Sequence, residues 1–82
     1  MARLAFRLTP AVLLAFLRPL VDGPMTTRQL QKANGLSPGQ VRSRLIASQG
    51  HRWVVTRQKT SMQRHTLTEA GHIALTGAAQ GR

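Results

Sequence analysis

Gln40, Arg42, Ser43 and Arg44 fall within one short segment of this 82-residue chain, and their side chains suit reversible hydrogen bonding rather than bond cleavage. An amide exchanges two hydrogen bonds with the edge of adenine, and a guanidinium donates two to O6 and N7 of guanine. Catalysis has far less to work with. The chain has two acids, Asp22 and Glu69, and no cysteine. It therefore offers no carboxylate pair and no thiolate, and it has no phosphate-cradling glycine loop. His51, His65 and His72 lack metal-ligand spacing and have no cysteine or carboxylate partners, which argues against a zinc site. The expectation is a protein that is not an enzyme and that needs no metal or cofactor.

Charge narrows the partner. Twelve Lys and Arg face the two acids, for a formal net charge of +10. Such an excess favours nucleic acid or an anionic membrane surface. The opening MARLAFRLTPAVLLAFLRPLV has the early arginines and apolar run of a targeting peptide. Arg18 and Pro19 interrupt that run, no small-x-small cleavage site follows closely, and the run is too short and too charged to span a bilayer. Nucleic acid is therefore the expected partner, with no membrane contact. The absence of cysteine fits a reducing cytoplasm, so a cytoplasmic, nucleoid-associated protein is expected.

The elements that must position the polar cluster are legible in the caps. Thr26-Thr27-Arg28-Gln29 is an S/T-x-x-Q capping box, and Ser37-Pro38-Gly39-Gln40 is a second one with proline at its first helical position. Asn34-Gly35 lies between them and supplies a left-handed helix stop. Two short helices joined by a glycine-containing turn form a helix-turn-helix, with helices expected over about 27–34 and 38–49. Leu30 and Ala33 of the first should point inward, as should Val41, Leu45 and Ser48 of the second. Upstream, Leu4, Phe6 and Leu8 alternate with Arg3, Ala5 and Arg7, giving an N-terminal arm or strand over 1–8. Thr9-Pro10 then opens a helix to about Val21. Its apolar face is Leu13, Leu14, Phe16, Leu17, Leu20 and Val21, and Pro19 kinks or ends its last turn.

Downstream, Asp22-Gly23-Pro24 is a loop, and Met25 gives one strand residue. Strands at 53–56 and 64–67 flank a polar tip, Gln58–Gln63. Trp53 starts an apolar strand and reads as core rather than as a base-stacking residue. Met25 and Met62 read as gap-filling or exposed residues. Thr68 caps a last helix from Glu69 to about Thr76, with Glu69 at its positive end. A flexible tail is expected over 77–82. The order is helix, helix, turn, helix, hairpin, helix. This is an α+β, mostly α, winged helix-turn-helix: a three-helix core over 9–76, a β-hairpin wing and a short C-terminal helix, with no internal repeat and no second domain.

L-S-P-G-Q-V-R-S-R-L at 36–45, W-V-V-T-R at 53–57 and L-T-E-A-G at 67–71 resemble bacterial winged-helix regulators of the MarR and PadR kind. In those families an LSPxxVxxxL recognition helix leads to a strand and a basic wing, and LTxxG opens the next helix. The resemblance covers roughly residues 9–76 and implies DNA binding. It does not extend to the long dimerisation helices or the effector pocket of those families. Ser48 stands where an apolar residue is usual, and Gly50-His51-Arg52 replaces the regular turn into the strand.

In a helix-turn-helix the second helix enters the major groove. Taking Val41 and Leu45 as its buried side puts Gly39, Ser43 and Ala47 outward, small enough for close approach. Gln40 and Arg44 flank them on one side and Arg42 on the other. The expected base contacts are thus Gly39, Gln40, Ser43, Arg44 and Ala47, with Gln40 on adenine and Arg44 on guanine. Thr27, Arg28, Lys32, Ser37 and Arg42 are expected on the phosphate backbone. Arg57, Lys59 and Arg64 on the wing would reach the minor groove or flanking phosphates. Arg42, Thr27 and the wing cations also have bland readings, as a solvated arginine, a helix-start residue and a solvated charge run. The leading expectation is a small prokaryotic, phage or plasmid transcriptional regulator that acts by promoter occlusion, working as a homodimer or a cooperative array on double-stranded DNA. The N-terminal arm either makes that contact or pairs within the monomer. Three other readings stay open: a non-specific architectural, nucleoid or plasmid-partition coat, a winged-helix protein- or RNA-interaction module, and a fragment of a longer replication or conjugation protein.

Overall fold

A computed structural model of the chain describes residues 8–59 and 62–80. The arm proposed over 1–8 lies outside the described residues except for Leu8. Helix α1 spans Pro10–Leu17. Thr9 caps it through a 3.3 Å bond from the Val12 amide to its hydroxyl, and Pro10 occupies the first turn, where no amide donor is required. Proline at 19 cannot continue the α-helical ladder, so the chain tightens into a 3-10 helix over Arg18–Asp22. Leu13, Phe16, Leu17 and Leu20 are buried as the apolar face predicts, while Val21 is 51% exposed.

Helix α2 covers Thr27–Asn34 and α3 covers Pro38–Gly50, close to the bounds the caps predict. Both halves of each capping box form. Gln29 N donates to Thr26 Oγ1 at 3.1 Å and receives the return bond at 2.9 Å on its Oε1. Ser37 and Gln40 repeat the pattern at 3.2 and 2.9 Å. Gly35 closes α2 at φ 64°, ψ 38°, a conformation that costs most other residues on the order of 1 kcal/mol or more. Asn34 Nδ2 donates to the carbonyls of Leu30 and Phe16 at 3.1 and 3.2 Å, tying the end of α2 to α1. Leu30 is buried as expected, but Ala33 is exposed.

Strands β1 (Val54–Lys59) and β2 (Met62–Leu67) form an antiparallel hairpin in which Val54 faces Leu67 and Lys59 faces Met62. Pairing thus runs well into the polar stretch 58–63, where the residue types predict a loose tip. Met25 joins β2 as a single bridge, through paired backbone bonds to His65 of 3.1 and 2.7 Å.

Helix α4 covers Glu69–Gln80, beyond the Thr76 at which the apolar pattern stops. The helix-favouring alanines at 78 and 79 carry it onward. Its start explains the Leu-Thr-Glu-Ala-Gly segment. Thr68 Oγ1 accepts from the Gly71 amide at 3.0 Å and donates to the Arg52 carbonyl at 2.6 Å, while Thr68 N donates to Trp53 O at 3.0 Å. The two feet of the hairpin are thereby fastened at one residue. A Cβ at 71 would strike the Trp53 carbonyl oxygen, so only glycine fits.

The core runs from Phe16, Leu17 and Leu20 through Leu30, Val41 and Leu45 to Val54, Leu67 and Leu75. Burial of each such side chain contributes about 1.5–3 kcal/mol. Trp53 packs at its edge, half-buried, with its ring stacked on His51 at 4.3 Å. The residue with positive φ between α3 and β1 is Arg52, at 64°, rather than the neighbouring glycine.

Candidate nucleic-acid interface

Which face of α3 turns outward depends on what it buries. Val41, Leu45 and Ser48 are buried as expected, and so is Arg44, at 7% exposure. With Arg44 on the inner side, the outward line turns away from Ala47, which is half-buried, toward Gly39, Ser43 and Ile46, all exposed. Arg42 is also exposed and Ile46 is 59% exposed. Arg44, expected to reach a guanine, instead lies along its own helix, with Nη1 donating to the Gln40 carbonyl at 3.2 Å. An arginine folds inward in this way because its aliphatic stem packs like a hydrophobe while its head finds acceptors.

Gln40 is exposed, but its Oε1 receives the Ser37 amide. A two-bond match to adenine uses that oxygen as well, so pairing of that kind has to share it with the cap. The Nε2 amide protons carry no such constraint from the cap. Ser37, Arg28 and Lys32 are exposed at the helix starts and along α2.

Beside α3 lies a groove of about 470 Å³, lined by Thr27, Arg42, Ile46 and Gln49 of the helices and by Thr56, Gln63 and His65 of the hairpin. His65 organises its floor. It is 3% exposed, with Nε2 at 2.8 Å from Thr27 Oγ1 and Nδ1 at 2.8 Å from Thr56 Oγ1. Gln49 Nε2 donates to Thr56 Oγ1 at 3.0 Å. With Thr56 accepting from Gln49, its own proton is free to donate to Nδ1. In the neutral ring one nitrogen donates and the other accepts, so both contacts are satisfied together. This chain of bonds joins α2, both strands and the end of α3. Burial pushes the His65 pKa below its ordinary 6.5, because a charged ring loses hydration there.

The sequence pattern does not single out Gln49, Thr56 or Ile46 and gives His65 no role. His65 and its partners are far apart in the chain, and nothing local announces their meeting. Ile46 was within reach, since treating Ser48 as inward already turns the outward line toward 46.

On the hairpin, Arg57 stands directly opposite Arg64, and both are exposed. The pleat places them on the face away from Thr56 and His65. Lys59 continues β1 at the tip, opposite Met62. Like charges placed directly across a hairpin repel.

No protein-family model matches the chain, and no curated protein matches it. A solved structure described as a possible transcriptional regulator for arsenical resistance superposes with a TM-score of 0.65 at 17% sequence identity, covering 79% of this chain and 68% of that one. In this chain a helix-turn-helix is followed by a hairpin and a further helix. The fold is a winged helix-turn-helix. Helix α3 is the second helix of the helix-turn-helix, and β1–β2 is the wing. Among the described residues no helix is long and apolar enough to cross a membrane, and no group of three or more His, Asp or Glu could hold a metal ion.

Proposed function

We propose that this winged helix binds double-stranded DNA with α3 in the major groove and regulates transcription by occluding a promoter. The observation that carries this reading is the wing's exposed Arg57–Arg64 pair, on the hairpin face turned away from the α3 groove, together with an exposed α3 face in a chain of net charge +10. An exposed pair of like charges gains from a polyanion, and a helix beside a hairpin matches a groove and its flanking backbone. The regulator described for the similar fold points the same way.

Gly39 and Ser43 lead the base-facing surface with Arg42 on the flanking phosphate, and Gln40 Nε2 donates one bond to a base edge or phosphate. Thr27 and Arg28 at the start of α2 hold phosphate, with Ser37 and Lys32 beside them. Arg57, Lys59 and Arg64 engage the flanking backbone or minor groove. One such module covers few base pairs, so useful specificity calls for a homodimer or a cooperative array on repeated half-sites.

The test is affinity for a duplex as a function of salt, in the wild type and in Arg57→Ala/Arg64→Ala. Removing one cation from a phosphate should flatten the log–log salt slope by about 0.9, so the double variant should flatten it by nearly twice that. An unchanged slope would remove the wing from the interface. A second reading, an architectural coat that binds all sequences alike, is favoured by the burial of Arg44, which withdraws one base-reading side chain.

A further inference from the structure

We propose that Ile46 is a specificity-determining contact that reads the C5-methyl group of a pyrimidine in the major groove. The proposal rests on the DNA-binding reading above. Ile46 is 59% exposed and stands outside the core cluster. Among the described residues the other large exposed apolar side chains, Val21, Met62 and Ile73, sit on the 3-10 helix, the wing and α4. Ile46 alone of these projects into the groove between α3 and the hairpin.

Its surroundings select the occupant. Gly39, Ser43, Ile46 and Gly50 follow at spacings of four, three and four, which is one line along a helix. A Cβ on Gly39 or Gly50 would meet nothing within 4 Å. Packing inside the chain therefore does not require either glycine, although alanine would favour the helix. The line is bare at both ends and carries one branched apolar side chain, a shape suited to close approach by a flat partner surface. The groove lining includes Arg42 and contains no acid, so in a chain of +10 the occupant is an anion. Duplex DNA is an anion whose major-groove edges display an apolar group at one place, the C5-methyl of thymine. The methyl of 5-methylcytosine occupies the same position and offers the same contact.

The experiment uses the duplex most enriched from a random pool. Each thymine is replaced in turn by deoxyuridine, which removes one methyl and leaves every hydrogen-bonding group in place. Wild type should bind about fourfold more weakly at one position, the equivalent of one buried methyl. Ile46→Ala should show no such weakening at that position. Because Ile46 is exposed, the variant should keep the wild-type circular dichroism spectrum and melting curve. A parallel arm replaces each cytosine by 5-methylcytosine. A gain there that Ile46→Ala lacks, with a flat uridine scan, assigns the methyl to 5-methylcytosine instead. If the enriched duplex binds and both scans are flat, or if Ile46→Ala responds as wild type does, the Ile46 assignment is overturned while DNA binding stands. If no duplex is bound, both readings fall together.

Discussion

Acid should destabilise this domain through His65, and the size of the effect follows from its surroundings. The neutral ring uses one nitrogen as acceptor and the other as donor, with Thr56 and Thr27 at 2.8 Å each. Protonation makes both ring nitrogens donors, removing the ring's one acceptor, and it places a charge at a site 3% exposed. Burial therefore holds the folded-state pKa below the ordinary 6.5. A histidine with a depressed folded pKa leaves the native state with fewer bound protons than the unfolded chain as pH falls. Its contribution is complete above the unfolded value near 6.5. It is lost at up to about 1.4 kcal/mol per pH unit below that, until His65 protonates within the fold. Against a total stability on the order of 5–10 kcal/mol for a domain of this size, even one such unit is easily measured. The assay is urea unfolding at a series of pH values from 8 to 4.5, in wild type and in His65→Gln. The variant should be less stable throughout, yet show a shallower decline between pH 6.5 and 5. A nuclear magnetic resonance titration of the His65 ring gives the same answer without a variant. Equal slopes in the two proteins, together with a ring that titrates at or above 6.5, would refute the reasoning.

Other substitutions probe separate features. Ser48 is fully buried and its hydroxyl has no hydrogen-bond partner among the described residues. Ser48→Ala should therefore stabilise the domain by about 1 kcal/mol in urea unfolding, since it removes an unsatisfied group with little change in volume. Gly71→Ala drives a Cβ into the Trp53 carbonyl and should cost roughly 1–3 kcal/mol or more by the same measurement. Arg44→Ala should lower the melting temperature and leave base preferences intact, because its guanidinium is held against α3. Arg42→Ala should do the reverse, weakening duplex binding with little change in stability. A shift of base preference in Arg44→Ala without loss of stability would restore Arg44 as a reading residue.

The parts of the fold legible in the sequence were those set by neighbours in the chain. Each capping box closes over three residues, and Gly35 stops α2 through its own backbone freedom, so the bounds of α2 and α3 could be read directly. The outward face of α3 could not be read in full, because it depends on which side chains the core accepts. Arg44 and Ser48 are buried while Ile46 is exposed, the opposite of what polarity suggests. Packing against α2 and the hairpin outweighs side-chain type there. The wing's pairing of 58 with 63 and 59 with 62 has no strong turn residue to mark it in the sequence, so that stretch reads as a loop. The His65 network joins residues 27, 49, 56 and 65, and only the folded chain brings them together. Thr68 was legible as a cap, whereas its bond to Arg52 and the steric need for Gly71 emerge only in three dimensions.

The central claim is that α3 and the wing together read double-stranded DNA. The most direct test is a selection from random duplexes at near-physiological salt, with the affinity of the enriched pool followed against salt concentration. The expected result is a short motif, repeated in inverted or direct order, bound with a salt slope of several phosphate contacts. Salt-steep binding without any motif would contradict sequence reading by α3 and leave an architectural coat. Failure to bind any duplex would contradict the DNA-binding claim itself.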